Sequence, residues 1–568
     1  MSRNTVEEHK KEKHPLDVVE DLKEYAAEGL SFEEIEERAG GGEWERLKWA
    51  GMYTHGRQDG YFMMRTKVPG GYLTPEQAEV IGEVADEYAT APEEYGGEEQ
   101  NDLWGDAYMD ITTRQDIQEH WIEVEDVPEI WRKYDEVGLT TIQGCGDSAR
   151  NVLGCPAAGL DDHEHFNAQP VIDAVSDFFT NNREYANLPR KYKMTITGCA
   201  DDCAQSQIND VGLTPAQKEF DGEQYYGFHA KVGGGLSDGP RMASDLDIFI
   251  RPEDTVEFCR AVAQTFKEIG DRHNRGVCRM RYLVQQMGVE KFEEAVRERS
   301  SVDFPNRGTD LTQGYQGDHV GVHDQKQDGL QYVGFNVVAG RIGGSEFAEA
   351  ARAAKKYGTE DASVRLATDQ NFLITHVPEE NVEDLLAEDF AEDYQPDPGP
   401  FARGAVGCTG SEFCNYGIIE TKNRVKRWAR ELDERIDTPD DLDVVRMHMS
   451  GCSASCAQPQ IADIGFRGET VKANVDDEDD DNDDIVEGMD FGLGGALGAD
   501  NEFIDWVETA VPAESVIPAL EELFAAYADE KTEGERFYEW CRRVDNSRLR
   551  TVMQGADANV SGGVAHGD

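Results

Sequence analysis

Two stretches of this chain repeat one another: KYKMTITGCADDCAQSQINDVG at residues 191–212 and VVRMHMSGCSASCAQPQIADIG at residues 444–465. Each reads as a strand that runs into a loop with two cysteines, which are Cys199 and Cys203 in the first copy. A match of this length at a large sequence distance indicates that a whole structural unit was duplicated. We therefore expect two related halves.

A looser repeat extends the duplication over most of the 568 residues. Residues 59–159 resemble residues 330–418, and the glycine-rich stretch 232–240 resembles 491–500. Each copy of the longer pair reads as strand, helix, strand, helix, which is typical of half-domains with mixed secondary structure. The expected fold class is α/β (α+β).

The composition limits the possible partners. The formal net charge is −60, with 115 Asp and Glu residues spread along the chain, which predicts a hydrated surface suited to a salt-rich cytoplasm and a halophile. Nucleic acid and anionic membranes are disfavoured as partners. The N-terminus is polar without a signal-peptide core, and no apolar run reaches the roughly 18 residues of a spanning helix. We expect a cytoplasmic protein, and we expect a monomer.

Four cysteines in the second half form two closely spaced pairs, Cys408 with Cys414 and Cys452 with Cys456. Four thiolates on two converging loops suit a [4Fe-4S] cluster, because each iron takes one soft ligand. Zinc and disulfides are the alternatives. Zinc pairs are usually separated by two to four residues, fewer than lie between Cys408 and Cys414.

The residues around these cysteines resemble those of a known protein family. CTGSEFCNYGIIETK at 408–422 and the stretch 445–468 resemble the cluster segment of the ferredoxin-dependent nitrite and sulfite reductases. The resemblance implies sirohaem and one [4Fe-4S] cluster as cofactors, with Cys456 also bridging to the sirohaem iron. It implies reduced ferredoxin as electron donor, because the repeat leaves no room for a flavin or nicotinamide domain.

The resemblance also implies a pseudo-two-fold, three-lobed fold with ferredoxin-like half-domains and two sirohaem/cluster-type domains. The expected boundaries are an N-terminal helical extension (1–50), a first half-domain (51–128), a first sirohaem-type domain (129–300), a second half-domain (310–395), a second sirohaem and cluster domain (396–535) and a C-terminal tail (536–568).

The first half retains Cys145, Cys155, Cys199 and Cys203, but we expect no second cluster. Nine residues separate Cys145 from Cys155, against five between the corresponding pair of the second copy, and the intervening loop resembles the substrate-pocket loop of the family. Cys199 and Cys203 are expected to be buried thiols left by the duplication.

Reduction of a small oxyanion by six electrons requires a redox cofactor, together with cations that bind the anion and supply protons. The resemblance assigns these roles to Arg65, Arg150, Lys191 and Lys193. Lys191 and Lys193 are two apart on a predicted strand, so both point to one face. A basic surface patch is the alternative. By resemblance, the sirohaem is lined by Arg114, Gln118, Arg190, Gln370 and Asn371.

The sequence gives mixed evidence on the substrate. CTGSEFC looks most like nitrite reductases, whereas CGDSARNVL at 145–153 resembles sulfite reductases, and Lys193 stands where plant-type nitrite reductases carry Asn. Sulfite is largely a dianion, so an additional cation favours it. Tyr53 and Cys145 match two positions that are crosslinked in some sulfite-reducing members. We expect reduction of sulfite to sulfide, with nitrite to ammonia as the alternative and a cluster-only electron-transfer protein as a remote one.

Overall fold

The computed structural model describes residues 4–95, 107–314, 317–439, 441–472 and 485–555. The chain forms two compact units. Unit 1 comprises residues 1–235, 241–337 and 341–396, and unit 2 comprises 236–240, 338–340 and 397–568. Among the described residues, no helix is long and apolar enough to cross a bilayer.

Among the described residues, unit 1 contains three five-stranded sheets. Its helices are α1 (Thr5–Glu12), α2 (Val18–Glu28), α3 (Phe32–Ala39), α4 (Gly41–Arg46), α5 (Pro75–Tyr88), α6 (Val127–Glu136), α7 (Gln169–Phe179), α8 (Thr255–Ile269), α9 (Met280–Met287), α10 (Val289–Arg299), α11 (Gly344–Tyr357), α12 (Val382–Leu385) and α13 (Phe390–Asp393). Its strands are β1 (Met52–Thr54), β2 (Phe62–Thr66), β3 (Tyr72–Leu73), β4 (Tyr108–Ile111), β5 (Ile117–Ile122), β6 (Met194–Ile196), β7 (Val211–Phe220), β8 (Glu223–Val232), β9 (Ser244–Ile250), β10 (Thr309–Asp310), β11 (Gly321–Asp324), β12 (Leu330–Phe335), β13 (Arg341–Gly343), β14 (Val364–Leu366) and β15 (Phe372–Pro378).

Unit 2 is built on one sheet. Its helices are α14 (Pro400–Arg403), α15 (Lys422–Arg435), α16 (Val516–Glu530), α17 (Phe537–Arg543) and α18 (Asn546–Gly555), and its strands are β16 (Ala405–Gly407), β17 (Met447–Ser450), β18 (Ile464–Lys472), β19 (Ile485–Leu493) and β20 (Asp505–Pro512). Phe537, Trp540 and Leu549, in the segment expected to be a C-terminal tail, lie in its hydrophobic core.

The predicted α/β half-domains are confirmed as two sheets that exchange a strand. The strand orders are β1-β2-β5-β4-β13 and β11-β12-β15-β14-β3, so each copy donates its short third strand to the other sheet. Helices α5 and α11 pack closely. A Cβ added at Gly82 on α5 would lie only 2.5 Å from the carbonyl oxygen of Gly344 on α11. The duplication therefore produced one interlocked pair.

The remaining sheet of unit 1 and the sheet of unit 2 share a second pattern. A parallel pair, β6-β7 or β17-β18, continues into antiparallel strands. Leu153 bridges Thr195 in parallel fashion, and Val406 pairs in the same way with His448. Because Thr195 and His448 are equivalent in the repeat, the cysteines two residues after Leu153 and Val406, at positions 155 and 408, are equivalent as well.

This register corrects one comparison made from the sequence. Cys155 corresponds to Cys408, so the interval between Cys145 and Cys155 is not the counterpart of the interval between Cys408 and Cys414. In the sequence alone, the two cysteine intervals look like counterparts, because the loop 146–154 is long. The three cysteines retained at equivalent positions of the first copy are Cys155, Cys199 and Cys203.

Candidate active site

The two cysteine loops of unit 2 begin at one edge of its sheet. Cys408 follows β16 and Cys452 comes two residues after β17, and these neighbouring strands are parallel, so both loops leave in the same direction. The Cys408 N–H donates to the Met449 carbonyl (3.2 Å), and the Gly451 N–H donates to Cys408 Sγ (3.2 Å). The adjacent parallel strands thus bring the two pairs of cysteines together.

The four thiols lie close enough to affect one another electrostatically. The pKa of Cys408 is raised to about 12, mainly by burial, with contributions from the neighbouring Cys456 and Cys414. Burial raises the pKa of Cys452 to about 11, with contributions from Cys456 and Cys408. A bound metal cluster reverses this cost, since it favours the thiolates.

Backbone hydrogen bonds to sulfur also fit an iron–sulfur site. Besides the Gly451 bond to Cys408, the Tyr416 N–H lies 3.5 Å from Cys414 Sγ. Hydrogen bonds to the sulfur ligands tune the potential of such clusters. All four cysteines are free of disulfides. The donor set and its surroundings therefore suit a soft, cluster-type metal group.

In unit 1, the predicted cations meet beside the first half-domain sheet. Arg65 on β2 pairs with Gln118 on β5, and its Nε lies 3.7 Å from an Asp116 carboxylate oxygen. Asp116 is fully buried, and the charges of Arg65, Arg114 and Arg150 all act on it. Burial is the larger effect and raises the Asp116 pKa.

Backbone pairing brings Arg150 beside the two lysines. The Arg150 N–H donates to the Tyr192 carbonyl (2.9 Å), and Ala149 bridges Tyr192 in parallel register. Tyr192 is fully buried, with its hydroxyl donating to the Cys259 carbonyl (3.1 Å). Side chains alternate along extended backbone, so Lys191, Lys193 and Arg150 lie on the face opposite Tyr192.

Arg114 links the sheet to this basic face. Its Nη2 donates to the Met194 carbonyl (3.0 Å) and its Nη1 to Asn209 Oδ1 (2.9 Å). Burial lowers the pKa of Arg114 to about 9; Asp116 opposes this shift and Arg150 adds to it. The structure therefore assembles several like charges in a poorly solvated region, an arrangement that favours a bound anion.

Acidic residues balance only part of this charge. Asp210 accepts the Lys193 N–H (2.9 Å) and pairs with Arg279 (3.1 Å). The buried Asp147 pairs with Arg190 (3.1 Å) and Arg275 (2.5 Å). These cations, together with Lys10, hold the Asp147 pKa well below its usual range in spite of burial.

Two buried guanidinium nitrogens in this region lack protein partners. The Nε atoms of Arg114 and Arg279 have no hydrogen-bond acceptor among the described residues. Arg279, which the sequence reasoning missed, lies immediately before α9, in CRMRYLV at 278–284. Its only sequence signal was a basic pair in a chain poor in lysine and arginine. Unsatisfied buried donors beside excess positive charge fit an anionic ligand with several carboxylates.

Gln370 and Asn371 lie together in the turn after β14, where the protein itself uses their side chains. Gln370 Nε2 donates to the Ile111 carbonyl (2.8 Å), and Asn371 Oδ1 accepts the Val337 N–H (2.7 Å). Gln115, also missed, makes the pseudo-symmetric bond from its Nε2 to the Leu366 carbonyl (2.7 Å). These contacts tie the two half-domain sheets together.

Tyr53 and Cys145, the two positions expected to be crosslinked, interact electrostatically. Burial raises the pKa of Tyr53, and the Cys145 thiol adds to that rise, whereas Arg150, Arg65 and Arg190 oppose it. Cys145 is fully buried, with Sγ 3.9 Å from the Gly51 carbonyl oxygen. The pair therefore lies within the electrostatic influence of the basic region.

Comparisons with known proteins agree with these features. The sequence model of the nitrite and sulphite reductase 4Fe-4S domain matches residues 145–304 and 399–559, and that of the nitrite/sulfite reductase ferredoxin-like half domain matches 55–92 and 323–388. Both family models match twice, as the internal duplication requires.

Relatives align over nearly the whole chain. The assimilatory ferredoxin-dependent nitrite reductase of Haloferax mediterranei is 39% identical over 92% of this chain and 89% of its own length. The ferredoxin–nitrite reductase of Synechococcus elongatus is 35% identical over 92% of this chain and 96% of its own. The solved structure of the Mycobacterium tuberculosis NirA protein is 31% identical, with a TM-score of 0.84 over 96% of this chain and 97% of that one. The chain therefore belongs to the nitrite and sulfite reductase family, as its cysteine words predicted, and is an oxidoreductase.

Proposed function

We propose that this protein is a ferredoxin-dependent nitrite reductase that converts nitrite to ammonia. The observation that carries the proposal is the basic face of unit 1, where Arg65, Arg114 and Arg150 act on one buried carboxylate, Asp116, and where Lys191 and Lys193 lie on the same face as Arg150. The two relatives described above are named nitrite reductases. They support the nitrite alternative better than the sulfite expectation.

The residues present fit the two cofactors of the proposal. Cys408, Cys414, Cys452 and Cys456 would hold the [4Fe-4S] cluster. Arg114, Arg190, Gln118 and Arg279 offer donors to the carboxylates of sirohaem, and the orphan Nε atoms of Arg114 and Arg279 support this assignment. Gln370 and Asn371 would support the site indirectly, through their hydrogen bonds to the backbone at Ile111 and Val337. When bound, these cofactors accept single electrons and deliver them to the anion.

The side chains of the basic face bind the anion and supply the protons that its reduction consumes. Arg65 and Arg150 present planar donors that orient the nitrite oxygens. Lys191 and Lys193 neutralise charge and donate protons as the oxygens leave as water, since a lysine near other cations loses its proton more readily. Overall, six electrons and eight protons convert one nitrite ion to one ammonium ion and two water molecules.

Sulfite is the second candidate, and Lys193 is the observation that favours it. An additional cation in a poorly screened site stabilises a dianion more than a monoanion. The Tyr53–Cys145 crosslink stays a prediction. Its formation removes two hydrogen atoms, so the mass of the intact chain or of the joined tryptic peptides tests it.

Product stoichiometry tests the proposed reaction. The cofactor-loaded protein, reduced ferredoxin and nitrite are mixed without oxygen at high KCl, and ammonium and oxidised ferredoxin are both measured. We expect six ferredoxins to be consumed for each ammonium formed. Accumulation of nitric oxide or hydroxylamine, or no turnover with nitrite, would contradict the proposal.

A matched pair of variants tests the basic face itself. Arg150→Ala is expected to lower kcat/KM for nitrite by about tenfold to 100-fold, the usual effect of losing one charge-assisted hydrogen bond. Arg352→Ala, on the exposed surface of α11, is the control and should leave kcat/KM unchanged. Equal effects of the two variants would remove Arg150 from the anion site.

A further inference from the structure

A second group of thiols lies in unit 1, apart from the four cluster cysteines. The Sγ atoms of Cys155, Cys199 and Cys203 all lie within 4.8 Å of one another, and those of Cys199 and Cys203 are 3.9 Å apart. The three residues are at most 3% exposed, and none is in a disulfide. Three buried sulfurs on two separate loops thus converge on one point.

Their separation matches a single tetrahedral ion. Two sulfurs bound to zinc at about 2.3 Å with a tetrahedral angle lie about 3.8 Å apart. This value is close to the 3.9 Å between Cys199 and Cys203. A cubane cluster spreads its ligands over four irons and so holds its sulfurs farther apart. Among the described residues, these three cysteines are the one group of three or more possible metal ligands whose donor atoms all lie within 4.8 Å of one another.

The internal repeat explains why the two cysteine sites differ. Cys155, Cys199 and Cys203 are the counterparts of Cys408, Cys452 and Cys456 in the strand register. The fourth cluster cysteine, Cys414, comes six residues after Cys408, whereas Asp161 stands six residues after Cys155. A carboxylate is a hard ligand that does not suit an iron–sulfur cage. The first copy therefore has three soft ligands and needs a fourth from elsewhere.

His319 is the candidate for that fourth donor, and its ring nitrogens do not lie within 4.8 Å of all three sulfurs. It is 4% exposed, and its Nε2 has no hydrogen-bond partner among the described residues. Its ring centroid lies 6.3 Å from that of Tyr332, and Tyr332 packs in one hydrophobic cluster with the three cysteines. An imidazole nitrogen that is buried without a partner is costly unless it binds a metal or a proton donor.

We propose that Cys155, Cys199 and Cys203 bind one zinc ion and that the His319 side chain turns toward the ion to complete the site. Three thiolates and an imidazole are a common set for a structural zinc site, and zinc needs no redox partner. Arg365 provides the compensating charge, since its guanidinium donates to the Pro156 and Ala158 carbonyls (3.2 and 2.6 Å) next to Cys155.

The ion would fasten loops of both repeats to one another. Leu160 and the three cysteines pack against Tyr332 on β12 and Leu373 on β15, both from the second half-domain. His319 comes from the connection between β10 and β11. The site is apolar and closed, so zinc would enter during folding and stay bound.

Metal analysis of the untagged, cofactor-loaded protein tests the proposal without any substitution. We expect about one zinc per chain, with an X-ray absorption spectrum at the zinc edge that fits three sulfurs at about 2.3 Å and one nitrogen at about 2.0 Å. Absence of zinc would overturn the proposal. So would iron in excess of the sirohaem and one cluster, or a Cys199–Cys203 disulfide found by peptide mapping.

Two variants separate the zinc site from general destabilisation. Cys203→Ser is expected to remove most of the zinc and to lower the unfolding temperature. Cys259→Ser, at another fully buried cysteine of unit 1, should keep the zinc. His319→Ala is expected to speed transfer of zinc to a chromogenic chelator by about tenfold or more. Asp161→Asn, the matched control, should leave that rate unchanged; the reverse order would replace His319 by Asp161 and contradict the assignment.

Discussion

The directions of Lys191 and Lys193 follow from one aromatic residue between them. Tyr192 is fully buried in the core of unit 1, so both neighbours must point away from that core. The Lys193 backbone is held in turn by the Asp210 carboxylate (2.9 Å) and by the Val211 N–H (3.0 Å). A single buried residue thus fixes the direction of two positive charges.

Replacement of Lys193 by asparagine tests how that charge discriminates between anions. Lys193→Asn is expected to lower kcat/KM for sulfite more than for nitrite, by about tenfold or more, because the dianion loses more Coulomb energy. Steady-state kinetics with both anions at fixed ferredoxin and salt give the ratio. Lys291→Asn, at an exposed position of α10, is the control. Equal losses for both anions would show that Lys193 does not set the preference.

Replacement of Cys414 tests the ligand assignment of the cluster. Cys414→Ser removes the soft ligand that has no counterpart in the first copy, so we expect loss of the cluster and of ferredoxin-linked turnover. Total iron and the electron paramagnetic resonance spectrum of the reduced protein are the measurements. Cys541→Ser, at a cysteine buried in α17, should retain the cluster signal. An intact cluster in Cys414→Ser would refute the assignment.

At the scale of elements, a buried carboxyl links β5 to its surroundings. Glu119 accepts hydrogen bonds from Tyr134 on α6 and Thr66 on β2. Burial raises its pKa to about 7, although these hydrogen bonds oppose the rise. The folded protein therefore holds this proton more tightly than the unfolded chain does.

The raised pKa of Glu119 predicts a pH-dependent stability. Its stabilising effect is complete below the unfolded pKa, near 4.5, and is lost as the pH rises through about 7. Glu119→Gln, which keeps an acceptor oxygen, should flatten this dependence by at most ~3 kcal/mol. Unfolding temperatures of the two proteins between about pH 5 and pH 8 at constant KCl measure the difference. Parallel curves would rule out titration of Glu119.

The elements that sequence reasoning predicted well are those with local signals. The duplicated cysteine loops and the α/β half-domains both follow from short-range patterns, whereas Lys191 and Lys193 lie before β6 and not on it. The exchange of β3 and β13 did not, because strands of two and three residues carry too little periodicity to assign a partner sheet. The bracing role of Gln115 and Gln370 also depends on that long-range contact.

For the molecule as a whole, the charge of −60 governs the encounter with an electron donor. Ferredoxins are themselves acidic, so repulsion must be screened before the two proteins meet.

We expect kcat/KM for ferredoxin to rise as KCl increases from about 0.1 M to about 1 M, because the Debye length falls from about 10 Å to 3 Å. A cationic viologen donor is the control and should lose efficiency over the same range. Circular dichroism at each salt concentration separates this effect from unfolding. A ferredoxin rate that falls with salt would indicate a local basic docking patch instead.

A comparison of the two anions as substrates tests the proposed reaction most directly. The measurement is kcat/KM of the cofactor-loaded protein for nitrite and for sulfite, with reduced ferredoxin at high KCl. We predict the higher value for nitrite. A higher value for sulfite would contradict the proposed function and would indicate that the charge of Lys193 sets the substrate preference.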